Sequence, residues 1–207
     1  WYTQYFLWLQ GIFSGDLGYS FAKQRPVATL IADSWAITFQ IVTLSMILAA
    51  IMSIPTGIVA GYTHGATIYR TLIMIAVIGV SIPVFVSGII VIYVFSFQLN
   101  VLPSGGAGSG GIERLKHIFV PSLLLGGMVG ALIFRMMRSG MRDVLEKGYI
   151  ETCTAMGLSR RKIVIKYAAK NAIAPVLTVS SLWVGFLIIY AMIVEYVFGM
   201  GGLGRLI

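Results

Sequence analysis

The residues able to do chemistry are few and scattered. The chain has two histidines, one cysteine and seven carboxylates in 207 residues. His64 and His117 fall in polar stretches at opposite ends of one long apolar run, so they cannot share a metal. The single Cys153 excludes an internal disulfide, and no histidine accompanies it to form a nucleophile. It reads as a small packing residue. No glycine loop followed by Lys-Ser/Thr is present to cradle a phosphate, so any ATP must bind another chain. Three groups of charged residues remain. Arg135, Arg138 and Arg142 recur at spacings of three and four and share one helix stripe. Glu151 precedes Gly157 and Arg160 in a polar, amphipathic stretch. Glu195 stands alone in an apolar one, where an ionisable group is either functional or a paired residue fixing the loop from Phe198 to Gly204.

The elements that must position these groups are set by hydropathy. The chain is 58% hydrophobic and 11% charged, against about 25% charged in soluble domains. Mean hydropathy is +0.91. Four runs lack any charge: Trp35–Gly61, Thr71–Gly111, Ile118–Phe134 and Asn171–Val194. A bilayer crossing needs about 20 apolar residues as helix. The runs predict an all-α, polytopic membrane protein with spanning helices near 35–62, 71–98, 118–140 and 172–197. Residues 35–207 form the transmembrane domain. Gln40, Thr43, Ser45 and Ser53 are expected to face other helices rather than lipid.

Several residues punctuate these helices. Pro55 should kink the first. Ser81 and Pro83, with Gly79, Ser87 and Gly88, interrupt the second. Pro121 suits a first helical turn in the third. Pro55, Ser81, Pro83, Pro175 and Glu195 are the candidates for kinks or for the pathway. Residues 1–34 read as an external segment: a short interfacial helix rich in Trp and Tyr, then a loop broken at Gly15-Asp-Leu-Gly18 and Arg25-Pro26. The chain opens at Trp1 with no Met or basic leader, as a fragment or processed chain would.

Basic residues orient the helices. With four crossings, ten lie on the side of the 142–170 segment and five on the other. The positive-inside rule puts 142–170 in the cytoplasm and both ends outside. This accounts for the net charge of +8 without nucleic acid, for which no aromatic-basic module exists.

The 142–170 segment is too polar to span. It predicts two helices meeting at Gly157, a left-handed turn, with Ser159 capping the second. Here Tyr149-Ile-Glu-Thr-Cys-Thr-Ala-Met-Gly157-Leu-Ser resembles the EAA loop of binding-protein-dependent ABC importers. That motif has Glu, two small residues, and Gly six positions after the Glu. Thr152 and Cys153 stand in place of the two alanines. The motif's Pro, about thirteen residues after the Gly, is Lys170 here, and the Pro comes later in Asn171-Ala-Ile-Ala-Pro175. This departure resembles the dipeptide, oligopeptide and nickel permease branch. So do Gly15-Asp-Leu-Gly-Tyr-Ser20 with Arg25-Pro-Val27, Val80-Ser-Ile-Pro83, and Val194-Glu195-Tyr-Val-Phe198 followed by Gly-Leu-Gly-Arg205.

The resemblance implies a six-helix type I importer permease in the cell inner membrane, with one further helix before Trp1 and one after Ile207. It implies half of a pathway for peptides or nickel complexes. The implied partners are a second permease subunit, two ATPase subunits that hold ATP and Mg, and an external substrate-binding protein. This chain itself would bind no cofactor. The elbow residues Tyr149, Glu151, Thr152, Ala155, Gly157, Leu158, Ser159 and Arg160 would dock the ATPase. Glu151 either makes that contact or only stabilises its own helix. The rival readings are an ion-coupled secondary transporter and a non-transporting membrane scaffold.

Overall fold

The computed structural model describes residues 1–63, 82–103 and 105–206. Helix α1 spans Tyr2–Phe13 and buries no residue. A minimal antiparallel pair, β1 (Tyr19–Ser20) and β2 (Arg25–Pro26), turns the chain into α2, Val27–Tyr62. Helix α3 covers Val84–Val91 and continues as π-helix through Ile92–Gln98. Helix α4 is Gly111–Leu145 and α5 is Gly148–Ala155. A short α6, Arg160–Lys162, runs through the π-helical turns Ile163–Ala168 into α7, Ala169–Val197, and a 3-10 turn follows at Leu203–Arg205.

The fold is all-α and polytopic. Among the described residues three helices are long and apolar enough to cross a membrane: Val27–Tyr62, Gly111–Leu145 and the continuous Arg160–Val197. The second expected span falls partly outside the described residues; its described part, Val84–Gln98, is helical. The helices also outrun their uncharged runs. α2 begins at Val27, not near 35, because Pro26 sets up the first turn and Asp33 lies on an exposed face, paired with Arg25 at 2.9 Å. α4 begins at Gly111, so Pro121 is a buried interior residue and not a first-turn one. The expected second elbow helix is not separate from the fourth span, since the chain stays helical from Arg160 to Val197.

The core lies between α2, α4 and α7, around Ile41, Leu125, Met137, Met141, Leu187 and Ala191. Small residues let α2 and α4 approach closely. Ser45 and Ser53 are buried as expected, whereas Thr43 is exposed in this chain. The Ile41 carbonyl accepts from Ser45 Oγ on its own helix at 2.7 Å and from Ser122 Oγ on α4 at 3.2 Å. A Cβ on Gly126 would lie 2.8 Å from the Ser45 carbonyl oxygen, while one on Gly127 would meet nothing within 4 Å. Backbone cannot swing aside as a side chain can. Gly126→Ala should therefore destabilise by about 1–3 kcal/mol, the usual range for overpacking. Gly127→Ala should leave stability unchanged. Thermal unfolding of the two variants in detergent checks the pair; equal midpoints would contradict the close approach.

Candidate functional site

The elbow is built from α5, Gly157 and α6. Gly157 has φ +75°, a region that favours glycine. Its N–H donates to the Thr154 carbonyl at 2.9 Å, and the Leu158 N–H donates to the Cys153 carbonyl at 3.2 Å. Those two bonds make a Schellman motif, and Leu158 and Cys153, the pair of side chains that usually close it, both pack on the core. Ser159 stands at the N-cap of α6 as expected, but its side chain makes no capping bond.

Three further contacts stiffen this corner. Ile150, Ile163 and Val164 are buried. The Arg160 guanidinium sits 4.7 Å from the ring centroid of Tyr62, at the end of α2. Asn171 Nδ2 donates to the Tyr149 hydroxyl at 2.9 Å and to the Tyr167 carbonyl at 3.0 Å. Asn171 thereby ties α5 to α7. In the sequence Asn171 is only part of a motif, because nothing in spacing pairs it with Tyr149. Of the predicted elbow residues, Tyr149, Glu151, Thr152, Ala155, Gly157, Ser159 and Arg160 are exposed, while Leu158 turns inward. Met156 joins the exposed set at 73% accessibility, an apolar tip that no motif in the sequence marks. The result is a rigid, basic-flanked protrusion continuous with a helix long enough to span a membrane.

At the other end of α7, Glu195 is fully buried. Its Oε2 accepts from the Gly204 N–H at 2.9 Å, and its backbone carbonyl accepts from the Met200 N–H at 2.8 Å. Thr38 of α2 accepts from the Leu203 N–H at 3.1 Å. Lys23 Nζ donates to the Arg205 carbonyl at 3.2 Å, and the Gly106 N–H donates to the Phe198 carbonyl at 2.9 Å. Glu195 is thus the hub that folds 198–205 back onto α2 and α7. This geometry favours the loop-fixing alternative for Glu195.

Residues 53–207 match the family described as the binding-protein-dependent transport system inner membrane component. Similarity to curated relatives covers the whole chain. It is 38% identical over 206 residues to the glutathione transport system permease protein GsiC of Escherichia coli O6:H1. It is 37% identical over the same length to the proteins of that name in Escherichia coli strain K12 and Shigella dysenteriae serotype 1. The chain belongs to this family. It spans 66% of the length of those relatives.

Of the other sequence candidates in this family member, two prolines lie inside helices and one at a helix start. Pro55 is inside α2, with the Thr56 hydroxyl donating to the Met52 carbonyl at 2.6 Å beside it. Pro83 is not a kink within a continuous helix: it is extended at φ −54° and ψ 135°, and α3 starts after it. Its ring disfavours helical backbone just before it, and its carbonyl accepts from the N–H groups of Val86 and Ser87. Ser81 lies outside the described residues. Pro175 lies inside α7. A cavity of about 380 Å³ opens between α2, the start of α3 and α4, lined among others by Ser53, Thr56, Ser87, Gly127, Ala131 and Phe134. Pro55 and Pro83 flank it in sequence.

Proposed function

We propose that this chain is a permease subunit of an ATP-driven importer in the cell inner membrane, forming one half of the pathway for small peptides. The observation that carries this reading is the elbow: a Schellman-locked corner with exposed polar residues, rigidly continuous with α7. Such a corner can receive a push from a soluble motor and pass it to a spanning helix without melting. The elbow then lies in the cytoplasm, with Glu151, Thr152, Ala155, Met156, Gly157 and Arg160 meeting an ATPase subunit. ATP and Mg are held by two such ATPase subunits. A second permease completes the pathway, and an external binding protein delivers the cargo. Peptide cargo of the glutathione class is preferred to nickel complexes, because the relatives are named for glutathione.

The test is reconstitution of the assembly in vesicles, with and without ATP. Uptake of labelled glutathione should require ATP and persist when proton and sodium gradients are collapsed. The purified chain alone should show no ATP turnover. Uptake driven by an ion gradient without ATP would replace this reading with a secondary transporter, and absence of any ATPase partner on purification would replace it with a scaffold.

A further inference from the structure

Helix α4 carries part of the cavity wall and the arginine stripe on the same face. At 100° per residue, five of the eight α4 residues that line the cavity, Leu124, Gly127, Met128, Ala131 and Phe134, lie within about 60° of the line through Ala131, and Leu123, Gly126 and Gly130 lie about 80–140° to one side. Arg135, Arg138 and Arg142 lie within about 40° of that same line. Arg135 is one turn beyond Ala131, about 6 Å along the axis, and is exposed. The guanidinium groups therefore continue one side of the cavity wall toward the elbow.

A basic helix end has an ordinary explanation. Cations near a helix C-terminus oppose the macrodipole and set membrane orientation. Both effects depend on depth along the helix and not on which face carries the charge. Here the charges continue the side of the cavity wall that carries Leu124, Gly127, Met128 and Ala131, while Met137 and Met141 continue the buried side that carries Gly126 and Gly130. Nor are Arg135 and Arg142 neutralised by carboxylates among the described residues. The only salt bridge among the described residues is Arg25–Asp33, at the far end of α2. The acidic groups nearest in sequence, Asp143 and Glu146, are exposed and form no ion pair with Arg135 or Arg142. The Nε of Arg142 is buried and has no hydrogen-bond partner among the described residues. A buried donor left unmet is costly, and an anion lying along the stripe would satisfy it. Guanidinium groups suit carboxylates in particular, through paired N–H donors.

We propose that Arg135 and Arg142 form an anion-receiving exit from the cavity, suited to the carboxylates of a small peptide. The cargo half of this statement rests on the proposed function; the anion site itself does not. The same chemistry would hold a lipid phosphate, and the experiment separates the two.

The assembled transporter is placed in phosphatidylcholine nanodiscs with Cys153→Ser and Ala131→Cys, so that a single thiol of this chain sits on the cavity wall. Labelling rates are compared for a sulfonate and a trimethylammonium methanethiosulfonate reagent, each normalised to free cysteine. Clefts lined by one sign of charge raise the local counter-ion concentration by about tenfold or more, so the sulfonate reagent should be favoured about tenfold. Arg135→Gln should remove most of that preference and Arg135→Lys should keep it. S-methylglutathione should slow sulfonate labelling, and its diester should not. No charge preference, or one that Arg135→Gln leaves intact, overturns the site. A preference that vanishes when phosphatidylglycerol is added assigns the stripe to lipid and overturns the exit role. Loss of protection by S-methylglutathione alone, with the Arg135 dependence intact, overturns the peptide cargo and leaves the anion site standing. Failure of glutathione uptake in the reconstitution, with labelling as expected, counts against the proposed cargo and not against the site.

Discussion

Gly157→Val should lower ATP-driven uptake and permease-stimulated ATPase together while leaving the protein inserted and folded. Gly157 sits at φ +75°, where a Cβ crowds the following carbonyl at a cost of about 1–2 kcal/mol. Nothing lies within 4 Å of the position a Cβ would take, so the whole cost is in the backbone. It can be relieved in one way, by rotating the residue out of the left-handed region. That breaks the Gly157–Thr154 and Leu158–Cys153 bonds and re-aims α6. An energy of 1–2 kcal/mol shifts the population of the native corner by about 5–30-fold. The contacts between α2 and α4 are remote from the turn, so assembly in the membrane should persist. Uptake and permease-stimulated ATPase should both fall by a similar factor, measured in vesicles with equal amounts of complex. Gly157→Asn, which tolerates the left-handed region better, should lose less. Unchanged uptake in the valine variant would mean that the elbow connects two helices and transmits nothing.

How much of this was legible in the sequence depends on which physical signal each feature carries. The spans are read from absence of charge, and that signal starts too late at the N-terminal ends, whereas the C-terminal ends agree at Tyr62 and Val197 and fall short only in α4. Asp33 can sit inside α2 because its side is exposed, and Glu113 and Lys116 sit inside the first turns of α4 for the same reason. Helix continuation is a backbone matter, whereas the uncharged run reports only the apolar portion. The Gly157 corner was legible because a glycine between two amphipathic stretches has a local meaning. Its neighbours were not. Asn171 meets Tyr149 across 22 residues and Arg160 meets Tyr62 across the fold, and no periodicity marks such pairs. Pro83 was legible as a disturbance but not as a helix start, since a proline can serve either use. The arginine stripe was legible as a stripe. Its alignment with a cavity needed α2 and α3 in place to form the other walls.

The knot around Glu195 gives the second large effect. Glu195→Ala removes the acceptor for the Gly204 N–H and leaves space beneath the loop. An unsatisfied, partly buried donor costs about 1–3 kcal/mol. Gly202→Ala should be comparably damaging for a different reason. The Gly202 backbone is extended, with φ −82° and ψ −170°, so alanine is conformationally acceptable there. Its Cβ, however, would collide with the Glu195 carboxylate. The two defects are complementary: shortening Glu195 clears the space that a methyl at 202 needs. The double variant should therefore be less destabilised than the sum of the singles, with a coupling of about 0.5–3 kcal/mol. Gly126→Ala is the control. Its Cβ would meet the Ser45 backbone carbonyl oxygen, away from the Glu195 loop, so that pair should be additive. Thermal unfolding of the singles and doubles in detergent, with proteolysis of the 198–205 segment as a local readout, decides between the two cycles. Equal additivity in both would mean that the Glu195 carboxylate does not rest on Gly202, and that the loop is held by Thr38 and Lys23 instead.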